Sequence, residues 1–426
     1  MSNLRKAFHL MNVMKSQWWS YKDLQQLQDK KLRAMIKYVY DTLPMYHEKL
    51  RQAKILPDDI KTSKDLLKLP YLTKEEIQKN FPQGIVSPTV DINQCWTPHT
   101  SGSTGKSMTM VYDVHAEDFE KAIALRPNLS CGQKLFDKWA VVTCPDHINQ
   151  KKWFQKFGLF SQQQISLFEN INDQIRKLEL INPDVLDGYA SSLYLIAKEI
   201  QSTPNTKIKP KIVFSTSEML TTNMRNVIDS AFNVNMFDQF GCVEIGRTAW
   251  ECPAHSGYHM DMEAVIMEFI KDDEQVTSGE PGEIIYTNLY NYAMPLIRYR
   301  VGDIGVPTDE KCSCGRGLPL MKLLEGRKDD FMKLPNGRIL SPISWIVILM
   351  HYEFEQYKVT QETINKIVIQ IVPGKNFSQE DVVKIKNESK NVLGNDVEIE
   401  IKLVDMIPRE KSGKMKPIIS KVKSDW

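Results

Sequence analysis

The chain lacks a long apolar run and a strong charge of either sign. Its 426 residues carry 55 Lys and Arg against 53 Asp and Glu, so the formal net charge is only +2, and the composition does not indicate a nucleic-acid-binding surface. No stretch approaches the roughly 18 consecutive apolar residues of a membrane span, and the N-terminus lacks the apolar core of a signal peptide. These absences predict a cytoplasmic protein with no nucleic-acid partner and no membrane span.

Cysteine is too scarce and too irregularly placed for a disulfide framework, because its seven copies are odd in number and unevenly spread. We expect Cys95, Cys131 and Cys144 to pack as small hydrophobic residues. Internal repeats and low-complexity tracts are also absent from the sequence. An apolar content of 42% and a charged content of 25% are those of an ordinary globular protein, and the length predicts two or three domains.

The order of apolar residues predicts an α/β fold. Residues 1–50 have helical periodicity, and Thr73 and Glu76 form a capping box at the start of a further helix. From residue 139 to residue 240, short apolar runs alternate with helical segments, which indicates βαβ units and a largely parallel sheet. Sites in such sheets form at the carboxyl ends of strands, where segments 215–218 and 240–244 fall. The expected strands are 108–112, 139–144, 185–189, 212–216 and 235–240, and the expected helices are 115–130, 172–181, 193–200 and 222–232.

After residue 260 the pattern changes to antiparallel β structure. The segment Gly279-Glu280-Pro281-Gly282 predicts a turn before an alternating strand at 283–289. Beyond Lys333, a strand at 364–371, a helix at 378–393 and a strand at 397–404 predict a small α+β domain of about 95 residues. We therefore predict a large N-terminal domain with mixed, largely parallel sheets and a β subdomain, followed by a small α+β C-terminal domain.

The segment Thr100-Ser101-Gly102-Ser103-Thr104-Gly105-Lys106 has the residue types of a phosphate-binding loop. Backbone N–H groups of such a loop can surround a phosphate, and its hydroxyls and ammonium add donors. Gly102 and Gly105 permit the positive φ that this wrapping needs. A Walker loop would need glycine where Thr100 stands, so the chemistry is present without the usual P-loop scaffold. The alternative is a mobile Ser/Gly loop that binds nothing.

Four further segments follow this loop along the chain. They are Phe240-Gly241-Cys242-Val243-Glu244, Tyr299-Arg300-Val301-Gly302-Asp303, Gly326-Arg327-Lys328-Asp329-Asp330 and Pro408-Arg409-Glu410-Lys411-Ser412-Gly413-Lys414. Together with the loop, they resemble the motifs of the adenylate-forming ligases, and the resemblance covers nearly the whole chain. The most similar branch is that of the phenylacetate–coenzyme A ligases and related capsule-biosynthesis proteins, which have segments like 69–76 and 312–316.

The resemblance implies that ATP activates a carboxylate as an acyl-adenylate and that pyrophosphate leaves. This reaction needs charge neutralisation on the phosphates and a carboxylate positioned for in-line attack. Glu244 would ligate Mg²⁺, which prefers oxygen ligands; by residue type alone it is a surface or helix-capping glutamate. Thr104 and Lys106 would take part in catalysis. The residues that would hold the β and γ phosphates are Ser101, Gly102, Ser103, Thr104, Gly105 and Lys106.

The resemblance also implies which residues surround the nucleoside. Phe240 would stack on adenine, where the family often has tyrosine, and Asp303 would accept hydrogen bonds from both ribose hydroxyls. Arg327 would reach the ribose or phosphate side. By residue type alone, Phe240 is a core aromatic and Asp303 a β-turn aspartate. The other nucleotide-binding residues would be Ser217, Glu218, Asp238 and Gly241, with Thr216 and Ser217 replacing the family's usual glycine-alanine pair.

Lys414 lies on a Ser-Gly-flanked loop of the small domain. By resemblance it would bridge the attacking carboxylate and the α-phosphate and stabilise the charge of the transition state. Without the resemblance it is one exposed lysine among many. Asp329 matches the family's hinge residue, so the domains would be residues 1–328 and 329–426. The small domain would rotate after adenylation, which would remove Lys414 and admit the acceptor.

The acyl pocket would be bordered by Tyr189, Ala190 and Ser191 and by Gly241 and Cys242. By pattern alone, the first three residues form a strand-end turn. The substrate would be a small carboxylic acid, and the expected acceptor is a thiol, that of coenzyme A. No segment marks a coenzyme A site, so an amine or hydroxyl of a sugar or amino acid serves equally as acceptor and fits the capsule-associated branch.

Cys252, Cys312 and Cys314, with either His259 or His255, form a candidate zinc site. Three cysteines and one histidine suit a closed tetrahedral zinc with a structural role. Cys252 and His255 have the spacing of half a zinc knuckle. The segment around His259 resembles a histidine-containing segment of relatives, so we prefer His259 and keep His255 as the alternate. The other interpretation is a group of reduced cysteines with surface histidines.

Two functions of other classes stay open. A phosphotransferase could use the loop at 100–106 directly, but Thr100 and the lack of a clear Walker-B strand ending in Asp count against it. A non-catalytic, zinc-stabilised interaction protein is opposed by Lys414, Glu244 and Asp303. A ligase makes AMP and pyrophosphate whereas a kinase makes ADP, so the products discriminate. Large enzymes of this kind often form homodimers, and we keep that arrangement as an expectation.

Overall fold

The computed structural model describes residues 2–100, 108–145, 155, 157–202, 206–327, 331–340, 342–349, 351–394, 396–410 and 413–422. The α-helices among these residues are α1 (Ser2–Ser16), α2 (Tyr21–Thr42), α3 (Pro44–Gln52), α4 (Lys74–Asn80), α5 (Val114–Ser130), α6 (Ile171–Ile181), α7 (Ala190–Ser202), α8 (Thr222–Phe232), α9 (Pro342–Leu349) and α10 (Gln379–Leu393). Across these described ranges, no helix is both long and apolar enough to cross a membrane.

The β-strands are short, as expected for α/β structure. They are β1 (Trp139–Thr143), β2 (Gln162–Ser166), β3 (Val185–Tyr189), β4 (Ile212–Thr216), β5 (Phe237–Cys242), β6 (Gly246–Glu251), β7 (Tyr258–Met260), β8 (Val265–Lys271), β9 (Glu274–Gln275), β10 (Gly282–Asn288), β11 (Tyr299–Thr308), β12 (Leu320–Arg327), β13 (Met332–Lys333), β14 (Ile339–Leu340), β15 (Phe354–Thr363), β16 (Lys366–Pro373), β17 (Glu398–Leu403) and β18 (Ile418–Ser420).

The chain forms two compact units, each discontinuous in sequence. The first unit comprises Met1–Leu135, Phe237–Val301 and Gly305–Leu323, and the second comprises Phe136–Met236, Gly302–Ile304 and Leu324–Trp426. The domain boundary between residues 328 and 329 stays a prediction.

The first unit contains the antiparallel β structure that the sequence predicts after residue 260. Its strands follow the order β5-β6-β7-β12-β11-β10-β8-β9. The pairs β5/β6, β6/β7 and β8/β10 are antiparallel. Helix α1 packs along α5, and the helical periodicity of residues 1–50 is confirmed by α1, α2 and α3.

A buried arginine joins α5 to the β structure of the first unit. Arg126 is fully buried, and its guanidinium donates to Glu263 Oε1 at 2.7 Å and also to Asp261. Ser16 at the end of α1 donates to the same Glu263 oxygen at 2.5 Å. A buried charge is tolerated when it is paired and hydrogen-bonded. The network therefore fixes both helices to the segment that precedes β8.

The second unit confirms the predicted βαβ rhythm. Strands β2, β1, β3 and β4 lie side by side in that order, and all three pairs are parallel. Buried apolar residues of α7, such as Leu193 and Ile196, and of α8, such as Ile228, pack in one core with these strands. Because the strands are parallel, their carboxyl ends meet at one edge, where Tyr189 and Thr216 are neighbours.

The same unit contains the small α+β sheet predicted for the C-terminal part. Its strands follow the order β17-β16-β15-β18, with β15/β16 antiparallel and β16/β17 parallel. Helix α10 begins after Ser378, which caps it by accepting from Asp381 N. Ile385 and Leu393 of α10 pack in the core with this sheet.

One predicted strand is wrong and one predicted cap is confirmed. Residues 108–112 do not form a ladder strand; only isolated bridges join His99 to Thr109 and Trp96 to Tyr112. Met110 N donates to the carbonyl of Pro98 at 2.9 Å, and proline has no N–H to return a bond. The capping box of α4 forms as predicted, since Thr73 accepts from Glu76 N and its own N–H donates to the Glu76 carboxylate.

Candidate active site

Part of the predicted nucleotide site lies outside the described residues. This applies to Ser101, Gly102, Ser103, Thr104, Gly105 and Lys106, to Asp329, and to the side chain of Arg327. Thr100, just before the loop, is described. Its N–H donates to the Met108 carbonyl and its Oγ1 accepts from Met108 N, both at 2.9 Å. The residues that flank the loop therefore approach each other, as the ends of a compact loop do.

The segment that carries Lys414, residues 408–415, is called the lysine loop below. Its end is a tight turn in which Gly413 N donates to the Glu410 carbonyl at 2.8 Å and Glu410 N donates to the Lys414 carbonyl at 3.0 Å. Gly413 has a φ of +79°, and a Cβ there would lie 2.8 Å from Cδ1 of Leu167. Both facts require glycine at this position. The residue before the lysine is thus fixed by backbone shape and by close contact with Leu167.

Glu218 connects the lysine loop to the start of α7. One carboxylate oxygen accepts from Met415 N at 2.6 Å, and the other accepts from Ser191 N at 2.8 Å. Hydrogen bonds to an ionised acceptor are stronger than neutral ones. The predicted acyl-pocket residue Ser191, the predicted nucleotide residue Glu218 and the neighbour of Lys414 are therefore held together.

Arg409 makes a second connection between the same segments. Its Nη1 donates to Ser191 Oγ at 2.8 Å and to the Gly413 carbonyl at 3.0 Å. Burial lowers the pKa of Arg409, while the nearby Glu218 and Tyr189 act in the opposite direction. The sequence motifs predict no role for Arg409, although it lies within the 408–414 motif. An arginine before a stretch of lysines is the one sequence feature that indicates its contacts, because arginine can donate several hydrogen bonds in a fixed geometry.

The strand ends that face the lysine loop carry two unusual residues. Ser217 has a φ of +70°, a left-handed conformation that is uncommon for a side chain other than glycine. By resemblance, Thr216 and Ser217 replace a glycine-alanine pair. The chain accommodates Ser217 through this strained backbone conformation, and strand β4 keeps its predicted bounds.

Burial raises the pKa of Tyr189 to about 12, with Cys144 and Glu218 adding to the rise. Tyr189 is therefore a neutral phenol at neutral pH.

An open pocket borders the connection between Glu218 and the lysine loop. Its cavity volume is about 60 Å³, and its walls include Ser191, Glu218, Tyr357 and Met415. The walls are mainly apolar, and the two oxygens of Glu218 already accept from backbone N–H groups. A cavity of this size holds a few water molecules.

The predicted magnesium and adenine residues lie on the β5–β6 hairpin. Glu244 follows β5; its Oε1 accepts from the Tyr299 hydroxyl at 3.4 Å, and its carbonyl accepts from the Tyr112 hydroxyl at 3.0 Å. Phe240 is partly buried and Gly241 is exposed. A Cβ on Gly241 would lie 2.3 Å from the Gly246 carbonyl oxygen. Glycine is therefore required for the hairpin to close, apart from any contact with a ligand.

Two predicted nucleotide carboxylates are buried. Asp238 lies on β5; its carboxylate accepts from the Tyr258 hydroxyl at 2.7 Å, and its N–H donates to Glu251. Asp303 lies on β11 and is 6% exposed. The bond from Tyr258 gives Asp238 a part in joining β5 to β7.

The first unit brings together the four preferred metal-ligating residues. Ligand atoms of Cys252, His259, Cys312 and Cys314 all lie within 4.8 Å of one another. The sulfurs of Cys252 and Cys312 are 3.5 Å apart, and Cys314 Sγ is 3.4 Å from His259 Nε2. Tetrahedral zinc with bonds of about 2.3 Å to sulfur and 2.0–2.1 Å to nitrogen would separate such atoms by roughly 3.6–3.8 Å. The cluster has the size that a zinc ion needs.

The two candidate histidines have different surroundings. His259 Nδ1 lies 3.3 Å from the Leu318 carbonyl, so this nitrogen carries the proton and Nε2 is left as a metal ligand. The ring of His255 instead stacks on Phe237, with centroids 5.0 Å apart and an interplanar angle of 5°. His255 does not belong to the cluster. The geometry therefore favours His259 over the alternate.

Comparisons with known proteins identify relatives of this chain. A family model described as the CapK C-terminal domain matches residues 335–421. The chain is 24% identical over 416 residues to "Protein CapK" of Staphylococcus aureus, which covers 94% of this chain and 90% of that protein. It is 24% identical over 333 residues to a phenylacetate-coenzyme A ligase of Thermus thermophilus, covering 72% of this chain and 71% of that protein.

A solved structure of 2-hydroxyisobutyryl-CoA ligase, in the postadenylation state with an acyl-AMP, matches the fold with a TM-score of 0.74. The match has 16% identity and covers 93% of this chain and 89% of that one. The motifs, the fold and the relatives agree. These relatives confirm the predicted resemblance to the adenylate-forming ligases, in the branch that includes CapK and the phenylacetate–coenzyme A ligases.

Proposed function

We propose that this chain is an ATP-dependent, AMP-forming ligase of carboxylic acids that transfers the acyl group to the thiol of coenzyme A. In the first step a carboxylate oxygen forms a bond to the α-phosphorus of ATP, and the bond from that phosphorus to the bridging oxygen of pyrophosphate breaks. In the second step the thiol sulfur attacks the acyl carbonyl, its proton is lost to solvent, and AMP leaves.

The contact between Glu218 and the lysine loop is the observation that carries this proposal. The Glu218 carboxylate binds Met415 N, the residue after Lys414, and at the same time Ser191 N. An ammonium held near a reacting carboxylate and phosphate stabilises the negative charge that both bring to the transition state. Lys414 is therefore proposed as the cation of the first step, and Tyr189, Ala190 and Ser191 as the border of the acid.

Glu244 is the proposed ligand of Mg²⁺, a hard ion that binds carboxylate oxygens. One of its oxygens accepts only a long bond of 3.4 Å from Tyr299, so the side chain fits such a role. Bound Mg²⁺ would neutralise phosphate charge. Phe240 and Asp303 remain the proposed partners of adenine and ribose, and the loop at 101–106 the proposed partner of the terminal phosphates.

An amine or a hydroxyl remains the alternative acyl acceptor because of one comparison. The match of residues 335–421 is to the CapK C-terminal domain, and the small domain is the part that would present the acceptor. An amine or a hydroxyl attacking the same acyl-adenylate would release AMP and give an amide or an ester. The first step and its residues are unchanged by this alternative.

We also propose a structural zinc bound by Cys252, His259, Cys312 and Cys314. The support is the convergence of these ligand atoms within 4.8 Å and the unprotonated Nε2 of His259, which lies 3.4 Å from Cys314 Sγ. All ligands come from the protein, so the ion would have no open position for a substrate. It would join the loop after β6, strand β7 and the segment before β12.

The test of the proposed function is a product analysis with the full chain. The protein is incubated with Mg·ATP, a panel of aryl, aliphatic and amino acids, and either coenzyme A or hydroxylamine. We expect acid-dependent release of pyrophosphate and AMP in equal amounts, and a thioester with coenzyme A. Formation of ADP would instead indicate phosphotransfer. Pyrophosphate release with hydroxylamine, but no thioester with coenzyme A, would favour the amine or hydroxyl acceptor.

A further inference from the structure

Three side chains beside the β5–β6 hairpin present oxygen acceptors and no donors to the space between them. They are Tyr112, Glu120 and Tyr290, called the acceptor group below. All three lie in the first unit, Tyr112 before α5, Glu120 on α5 and Tyr290 after β10. The mechanism proposed above uses none of them.

The two phenols have already used their single proton. The Tyr112 hydroxyl donates to the Glu244 carbonyl at 3.0 Å, and the Tyr290 hydroxyl donates to the Ile245 carbonyl at 2.9 Å. A phenol has one O–H, and the Tyr112 and Tyr290 hydroxyls also hydrogen-bond to each other, so any further partner of either oxygen must be a donor. Burial raises the pKa of both phenols well above the ordinary value, and they keep these protons at neutral pH.

Glu120 approaches the β5–β6 hairpin at Gly246, which has no side chain. A Cβ built on Gly246 would lie 3.3 Å from Cγ of Glu120, 3.6 Å from its Oε1 and 3.1 Å from the Tyr290 hydroxyl. Gly246 has a φ of +87° and is the register partner of Cys242. The carboxylate of Glu120 therefore lies beside Gly246, whose partner across the hairpin is Cys242, one of the residues predicted to border the acyl group.

The Glu120 carboxylate accepts no hydrogen bond from the part of the chain that the structure describes. The two nearest cations have other partners: Lys121 pairs with Glu117, and Arg247 donates to the Ala124 carbonyl. Burial raises the pKa of Glu120, with Arg247 and Lys121 opposing the rise. The Glu120 side chain is only partly buried, so water or a ligand can reach its carboxylate. A ligand that displaces this water must supply a donor, because a desolvated carboxylate without one is costly.

We propose that Glu120 selects a carboxylic acid that carries a hydrogen-bond donor, an ammonium or a hydroxyl group, at the end remote from its reacting carboxylate. The inference rests on the proposed function, because it takes the space beside Cys242 as the acyl site. An unsubstituted aromatic or alkyl end would bury the acceptor group without any donor. A site built to bind a polar substrate group rejects the analogue that lacks it far more strongly than an apolar pocket rejects one methylene.

The experiment compares matched acids in two series with the full chain and Mg·ATP. The first series is phenylacetate, 4-hydroxyphenylacetate and 4-(aminomethyl)phenylacetate, and the second is butanoate, 4-hydroxybutanoate and 4-aminobutanoate. Acid-dependent pyrophosphate release is measured with the wild type, Glu120→Gln and Glu117→Gln. Glu117 is the matched control because it lies on the same helix and pairs with Lys121, and its charge makes the smallest of the contributions to the raised pKa of Glu120. Thermal melting checks that both variants are folded.

In at least one series, we expect kcat/KM of the wild type to be at least about tenfold higher for a donor-bearing acid than for the unsubstituted acid. Glu120→Gln should reduce this ratio at least about threefold, because the amide keeps one acceptor and loses the charge, whereas Glu117→Gln should leave it unchanged. The ammonium and hydroxyl acids differ in charge, so their ranking identifies which donor is bound. Preference for the unsubstituted acids, or an equal effect of the two variants, would overturn the inference.

A binding measurement separates this inference from the proposed function. Calorimetric titration of the same acids is made with Mg²⁺ and the non-hydrolysable analogue α,β-methylene-ATP. If no acid supports pyrophosphate release, the proposed function fails. Tighter binding of donor-bearing acids that is lost in Glu120→Gln would then still support selection by Glu120. Equal binding within both series, or no binding of any acid, would reject it.

Discussion

The cysteine–histidine cluster and the lysine loop are both polar sites, but they are held in opposite ways. In the cluster, four ligand atoms converge within 4.8 Å and all belong to the first unit. The lysine loop is held by the two oxygens of Glu218 and by the forked contact of Arg409. Each hydrogen bond of this kind involves a charged group and contributes about 1.5–3 kcal/mol net, because water can replace it. The proposed metal–thiolate bonds would give a permanent joint, whereas a few exchangeable hydrogen bonds would suit a loop that leaves its site, as the family resemblance implies.

Cys312→Ser should have the largest effect, and on stability. Serine replaces a thiolate by a hydroxyl, which is a poor zinc ligand, and leaves the other three ligands, two of them buried, without their ion. We expect loss of bound zinc and a loss of on the order of 3 kcal/mol in the free energy of unfolding. Elemental analysis of freshly purified protein and urea unfolding measure the two quantities.

The control for this variant is Cys144→Ser, since Cys144 is buried but lies outside the cluster. It should keep the zinc content of the wild type. Absence of zinc from the wild-type protein, or equal zinc content in both variants, would contradict the proposed zinc site. The cysteine–histidine cluster and the lysine loop would then not differ in how they are held.

Lys414→Ala should give the largest effect on catalysis. Removing a group that stabilises transition-state charge costs roughly 100- to 1,000-fold in rate. We expect that loss in acid-dependent pyrophosphate release, while transfer from a supplied acyl-adenylate to coenzyme A stays close to the wild-type rate.

Lys416→Ala is the matched control, because Lys416 lies two residues on and its ammonium is 3.8 Å from Glu410. It should change neither step appreciably. If Lys414→Ala lowered both half-reactions to the same extent, the assignment of the lysine to the first step would be wrong.

Glu218→Gln should have an intermediate effect. The glutamine side chain has one oxygen, so only one of the two backbone N–H groups, Met415 N or Ser191 N, keeps an acceptor, and the negative charge is lost. We expect a loss of about tenfold in kcat for adenylation, with a smaller change in KM and no change in the transfer step.

Glu355→Gln tests whether this effect is specific, because Glu355 lines the same pocket without bonding to the lysine loop. The carboxamide there should be tolerated. A similar loss in both variants would mean that pocket charge, and not the contact with Met415, controls the rate.

Ser191→Ala should have the smallest effect. It removes one acceptor of Arg409, which keeps its bond to the Gly413 carbonyl. We expect a reduction of roughly three- to tenfold in the adenylation rate, corresponding to about 0.5–1.5 kcal/mol. Ser192→Ala is the control, since the Ser192 hydroxyl is buried without a partner among the described residues. A larger loss in the control would show that packing in α7, and not the bond to Arg409, is the cause.

The elements of the fold are largely predictable from local pattern. Strand β4 and helix α8 have the predicted bounds, and helix α10 begins one residue after the predicted start because Ser378 is its cap. The failure at residues 108–112 has a local cause, the missing N–H of Pro98. Hydrophobic periodicity and caps act over a few residues, so they are visible in a single sequence.

The contacts of the candidate site are less predictable because they join distant residues. The bond between Glu218 and Met415 spans 197 positions, and that between Arg409 and Ser191 spans 218. The motifs indicated which segments matter but not that Glu218 would bind a backbone N–H. The choice of His259 over His255 likewise depends on the folding of β7, whose Tyr258 and His259 pair with β12.

Glu218 also belongs to the first turn of α7, because Ser191 N is one of the N–H groups that a helix leaves without a partner. The N-terminus of a helix carries partial positive charge and favours an anion. If the lysine loop moves away, Glu218 therefore keeps both a donor and a favourable field, and only its bond to Met415 is lost. The docked and released states then differ at this residue by one hydrogen bond to a charged group, about 1.5–3 kcal/mol. A difference of this size can be reversed by the binding of a substrate that prefers one of the two states.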